Sequence, residues 1–185
     1  MIATPRPLTY DDLLRMPDDG KRYEVIGGEL IVNPAPRRDH QMIITNLDWI
    51  LQQFLRASGW GIAFTHPVDV YSGRNDIVQP DMIVIRQARL AIYRPEGIVV
   101  EPPDLVVEVL SPSTRGIDLI RKMALYARAG VQEYWIVDPE ERSLHVHLLQ
   151  GDQYVSIAPD ADGWFASPTL IGLRVDPAEV FAGLD

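Results

Sequence analysis

Two short runs of this chain are apolar on both strand faces and yet carry an acid each: Val78-Gln79-Pro80-Asp81-Met82-Ile83-Val84-Ile85 and Asp104-Leu105-Val106-Val107-Glu108-Val109-Leu110. A strand apolar on both faces is covered on both faces, which calls for layers on either side of a sheet and so for an α/β fold. A carboxylate inside such a strand needs a partner, because stripping its water costs several kcal/mol. Side chains alternate along a strand, so Asp81 shares the face of Ile83 and Ile85, and Glu108 that of Val106 and Leu110. If the two strands are neighbours, the acids converge on one site.

Two kinds of partner are open. Oxygen ligands of this sort suit Mg²⁺ or Mn²⁺, which would polarise a phosphodiester and lower the pKa of an attacking water. The plainer alternative is that Asp81 caps a strand end in solvent while Glu108 pairs with an arginine. A helix expected over 117–129, ended by Gly130, bears on the choice. On its wheel Leu119, Met123, Tyr126 and Ala127 form the core stripe, Arg121 and Arg128 lie opposite, and Lys122 sits on the flank, from where its ammonium could reach the sheet. There it could orient a water or stabilise the charge of a pentavalent phosphorane. A surface pair with Asp118 at i, i+4 explains the same spacing.

The remaining pattern is that of one mixed α/β domain over residues 1–185, about the size of a single core. Residues 8–15 read as a short helix capped by Thr9. Strands at 23–26 and 29–32 form an N-terminal β-hairpin turned by Gly27-Gly28 and expected to lie against the main sheet. From Asp39 to Ala57 the residues Ile43, Ile44, Leu47, Ile50, Leu51, Phe54 and Leu55 recur at helical spacing, stopped by Ser58-Gly59. Further strands are expected at 61–71, 79–85, 104–110, 133–137, 143–149 and 153–157, and the stretch after Asp160 has no period that assigns it an element. Tyr134 and Trp135 read as core.

Four strings carry a family likeness: Arg22-Tyr23-Glu24-Val25-Ile26-Gly27-Gly28-Glu29-Leu30, Gln79-Pro80-Asp81, the run from Asp104 to Thr114, and Glu133-Tyr134-Trp135-Ile136-Val137-Asp138-Pro139. Together they resemble the Uma2 family of restriction-endonuclease type, over about residues 9–154. The resemblance implies a PD-(D/E)XK fold, a restriction-endonuclease-like mixed central sheet flanked by helices. It also implies that Asp81 is the PD aspartate and Glu108 the second acid. The superfamily's usual lysine position, two residues after that acid, holds Leu110 here, so the family pattern transfers the role to Lys122 on the following helix. Glu24 lies in a matching string and is either a further metal ligand or a solvent-facing hairpin residue.

The function implied is divalent-metal-dependent endonuclease action on DNA, with Asp81 and Glu108 holding Mg²⁺ or Mn²⁺, the Val109 carbonyl assisting, and Lys122 serving the water. A nuclease-like fold used for binding or assembly without turnover is the alternative. It draws on the net charge of −9, from 17 basic and 26 acidic residues, which disfavours coating nucleic acid through an overall field. A glycosidase with paired acids fits less well, since no aromatic sugar platform accompanies them. His40, beside Arg37-Arg38 at a helix start, is either a cleft residue or a cap. His145 and His147 share a strand face without a third ligand nearby, which reads as a solvated face rather than zinc. Short apolar runs and no secretory stretch lead to a cytoplasmic protein with no membrane span, and the two strands of a duplex suggest a homodimer.

Overall fold

The computed structural model describes residues 6–65, 67–111 and 115–184, without the side chains at 117 and 118. Helix α1 (Tyr10–Leu13) starts where the Asp12 carboxylate accepts from the Thr9 amide and hydroxyl, 3.0 Å each. Strands β1 (Arg22–Ile26) and β2 (Glu29–Asn33) form the antiparallel hairpin, and α2 (Arg38–Ser58) follows, ended by Gly59 at φ +66°. Then come β3 (Gly61–Phe64), β4 (Asp69–Gly73), β5 (Asp76–Val78), β6 (Met82–Arg86), a 3₁₀ segment at Gln87–Ile92, β7 (Ile98–Val99) and β8 (Leu105–Val109). A π-helical turn (Ile117–Lys122) runs into α3 (Met123–Ala129), followed by β9 (Glu133–Asp138), β10 (Ser143–Gln150) and β11 (Gln153–Ile157). Last are β12 (Phe165–Ala166), β13 (Arg174–Val175) and α4 (Pro177–Val180).

Apart from the two-stranded β12–β13 ribbon, the described strands divide into two mixed sheets, which the sequence pattern does not announce. One has the order β2-β1-β5-β4-β7 and the other β11-β10-β9-β8-β6-β3. The hairpin belongs to the five-stranded sheet by pairing with β5 rather than lying against the larger one. Two expected strands are each broken by the change of sheet. The run 61–71 splits into β3 and β4 around Pro67, and 79–85 begins only at Met82, after Gln79-Pro80-Asp81 has carried the chain across. Proline has no N–H for a ladder, so both crossings fall where pairing is cheapest to interrupt.

Face assignment by parity does hold. Ile83, Ile85, Val106 and Leu110 pack in one cluster with Tyr126, Leu125 and Ile26 on the α3 side. Met82, Val84, Leu105 and Val107 pack in the other, against the Ile43–Leu47–Leu51–Leu55 stripe of α2. The C-terminal stretch closes that second cluster through Leu170, Leu173, Val175, Val180 and Leu184. Its elements are two to four residues long, too short to show a period.

The hairpin turn is tied to the N-terminal arm. Gly27 and Gly28 have φ of +61° and +79°, the left-handed values a tight hairpin turn requires, and Leu8 N–H donates to the Gly28 carbonyl at 2.9 Å. A Cβ on Gly28 would lie 2.5 Å from Pro7 Cβ. Gly28→Ala is therefore expected to destabilise by about 2 kcal/mol or more, from backbone strain plus overpacking. An unchanged urea midpoint would refute the contact.

Candidate active site

Asp81 and Glu108 face each other because of strand register. Strands β6 and β8 run antiparallel with Met82 opposite Val107 and Ile83 opposite Val106, and one further step brings Asp81 opposite Glu108. Both are buried, at 6% and 2% exposure, and both line a cavity of about 660 Å³ at this end of the six-stranded sheet. Asp81 does not cap a strand in solvent, and Glu108 is contacted by Lys122 and Tyr126, with no arginine against it among the described residues.

Lys122 points inward and is 3% exposed. Its Nζ lies 3.0 Å from Glu108 Oε1 and 3.0 Å from Glu24 Oε1, bridging the two sheets through one ammonium. The regular helix expected over 117–129 is wound as a π turn up to Lys122. A wider turn displaces the wheel, which explains why Leu125 is buried while Met123 and Ala127 are only half-buried. The pairing considered with Asp118 involves a side chain outside the described residues.

Glu24 is fully buried and held by three partners: besides Lys122, it accepts from the Gln79 amide at 2.6 Å and from Asn33 Nδ2 at 2.5 Å. It is no solvent-facing hairpin residue, and it lies behind Lys122 instead of lining the cavity. Tyr126 Oη donates to Glu108 Oε1 at 2.6 Å. Burial, together with the Glu108 charge, pushes the phenol well above its usual range, so it stays a neutral donor.

Asp81 is held from three sides. Arg22, on β1, donates to Oδ1 at 2.7 Å; the Val109 amide donates to Oδ2 at 2.9 Å; and His40, in the first turn of α2, brings Nε2 to 3.0 Å of Oδ2, close enough for an ion pair but not aligned as a hydrogen bond. Burial alone would raise the carboxyl, but His40, Arg22 and the Val109 N–H outweigh it and hold Asp81 well below the usual carboxylate range. A depressed folded value stabilises the fold above the unfolded carboxylate pKa of about 3.9, and that contribution is lost as pH falls through the folded value. Wild-type protein is expected to lose stability below about pH 4 more steeply than Asp81→Asn. Parallel acid limbs in urea titrations of the two would contradict this.

Arg22 and Tyr126 are participants that pattern reading overlooked, and His40 stands in the cleft. A signal existed for each. Period 2 along β1 puts Arg22, Glu24 and Ile26 on one face, a charge pair leading into a buried residue. His40 extends the buried 43-47-51 stripe by one turn, and Tyr126 shares the Lys122 flank at i+4. His145 and His147 lie away from the site: His145 is exposed beside Ser143, and His147 is packed near the rings of Tyr134 and Tyr154. Among the described residues no three His, Cys, Asp or Glu side chains cluster closely enough to cage a metal ion.

The donor set nevertheless fits a Mg²⁺-like cation, which binds through one or two carboxylates and keeps several waters. A carboxylate offers about four lone-pair directions, and the three neighbours of Asp81 leave room for another.

Residues 10–178 match the model of the Uma2 family, described as "Putative restriction endonuclease". A crystal structure of "a putative nuclease belonging to DUF820" from Anabaena variabilis ATCC 29413 superposes with a TM-score of 0.79 at 22% identity, covering 95% of this chain and 98% of that one. At this identity the likeness is one of fold. No curated protein matches the chain. No helix among the described residues is long and apolar enough to cross a membrane.

Proposed function

The chain belongs to the Uma2 family, and on that premise we propose that it is a divalent-metal-dependent endonuclease hydrolysing phosphodiester bonds in DNA. The observation that carries the reading is the meeting of Asp81, Glu108 and Lys122 at one cavity wall, drawn from three separate elements. A bound Mg²⁺ or Mn²⁺ supplies charge neutralisation at the phosphate and acidifies water.

In this reading Asp81 and Glu108 are the metal ligands. Arg22 and the Val109 amide fix the rotamer of Asp81 and keep it ionised, so that a charged ligand is ready at neutral pH. Tyr126 and Lys122 both hold Glu108 Oε1, which turns the second carboxylate toward the cavity. Lys122, lining that cavity beside Glu108, would orient a water or stabilise charge developing on the phosphate. Glu24, with Asn33 and the Gln79 amide behind it, acts as the positioning residue for Lys122 rather than as a ligand.

The test is titration calorimetry with Mg²⁺ and Mn²⁺ followed by cleavage assays on plasmid, branched and single-stranded DNA. Metal binding with hydrolysis of at least one substrate is expected. Wild-type inactivity on all of them with both metals would leave the fold as a binding or assembly module.

A further inference from the structure

We infer that the strand this site accepts is single-stranded or frayed DNA, held by its backbone, rather than an intact duplex. The inference rests on the nuclease reading and narrows its substrate.

The reacting groups are deeply placed. Asp81, Glu108 and Lys122 are each at most 6% exposed. A phosphate oxygen sharing a cation with Asp81 and Glu108 would have to come up against these buried carboxylates, so the backbone itself would have to enter the cavity. About 660 Å³ is the size of a pocket for a drug-sized ligand, enough for roughly one or two nucleotides. The rim carries Pro34 and Pro36 on the β2–α2 connection and Pro139 after β9, residues with fixed φ that resist reshaping. A duplex has a persistence length of about 50 nm and does not bend one phosphate into such a space without unpairing. A single strand is thin and flexible enough to thread it.

Charge points the same way. Duplex binding draws its affinity from many cations neutralising phosphates. Here the cavity's cations are mostly committed to acids of the protein: Arg22 to Asp81, Lys122 to Glu24 and Glu108, and Arg115 to Asp138 and Glu141. Arg37 is the lining cation without an ion pair among the described residues, while Asp39 and Glu140 add negative charge to the wall. With a net charge of −9, little remains to hold a long anionic rod, whereas one or two phosphates of a threaded strand can be held by Arg37. The described wall has no Phe, Tyr or Trp on which bases could stack, so recognition runs through the backbone with little base preference.

Two measurements on the full-length wild-type chain test this. In the first, a labelled oligonucleotide without self-complementarity is compared in Mg²⁺ with its blunt duplex and with the duplex bearing a single-stranded tail. The strand and the tail are expected to be cut faster than the blunt duplex by about tenfold or more. Equal rates on duplex and strand would overturn the inference while leaving the nuclease reading intact. In the second, fluorescence anisotropy with Ca²⁺ in place of Mg²⁺ reads binding without turnover. Tighter binding of the strand is expected, with a log–log salt slope of about −1 to −2, and Arg37→Ala should weaken it and flatten that slope by roughly 0.7. Preferred binding of the blunt duplex with a steep slope would overturn the inference. Strand-selective binding with no cleavage in Mg²⁺ or Mn²⁺ would uphold the preference and remove the nuclease reading instead.

Discussion

Lys122→Met is expected to lower the melting temperature by about 6–20 °C, the largest stability effect of any single substitution at the site. Lys122 is almost wholly buried and stands 3.0 Å from one oxygen of Glu24 and 3.0 Å from one of Glu108. Removing the cation leaves two carboxylates in a low-dielectric interior without their shared counter-charge. Breaking a buried pair in this way costs about 3–5 kcal/mol, well above the fraction of a kcal/mol of a surface bridge. Each kcal/mol moves the midpoint of a domain this size by about 2–4 °C. Adding Glu24→Gln in the Lys122→Met background removes one orphaned charge and is expected to recover part of the loss. Differential scanning calorimetry of the two variants decides it. A Lys122→Met protein that melts with wild type would mean that the ammonium is not the clasp between the sheets.

The second large effect is on chemistry. Asp81→Asn is expected to abolish calorimetric Mg²⁺ binding and to slow cleavage by about 10³-fold or more, since the charge stabilisation at stake is several kcal/mol. The substitution is nearly isosteric. The amide oxygen can still accept from the Val109 N–H or Arg22, so the fold persists and the loss reads as chemistry. A control sharpens the contrast: Glu24→Gln acts through the placement of Lys122 and should leave metal binding near wild type while reducing turnover. If Asp81→Asn bound Mg²⁺ as tightly as wild type, Asp81 would not be a ligand, and the pair it forms with Arg22 and His40 would be structural.

Much of this arrangement was legible before the fold was known, and the physical reasons differ by residue. The acids stood out because strand parity and an apolar neighbourhood are local properties: Asp81 with Ile83 and Ile85, Glu108 with Val106 and Leu110, each readable within seven residues. The α2 stripe was equally plain, since a 21-residue helix repeats its pattern many times over. Lys122 was located only to the flank of a helix, because a wheel assumes 3.6 residues per turn and the π turn ending at Lys122 does not keep that period. Arg22 and Tyr126 escaped because an arginine opening an edge hairpin and a tyrosine on a core stripe have ordinary local explanations.

The sequence by itself determined the α/β class, the strand faces that Asp81 and Glu108 share with their apolar neighbours, and the apolar stripe of α2, all consequences of periodicity within single elements. Tertiary structure alone decided the division into two sheets, the register that sets Asp81 opposite Glu108, and the convergence of Arg22, Glu24, His40, Lys122 and Tyr126. Those depend on contacts between residues up to about a hundred positions apart, as from Glu24 to Lys122. No local pattern encodes such contacts, because each buried charge finds its partner only when the packing of distant elements brings one within reach.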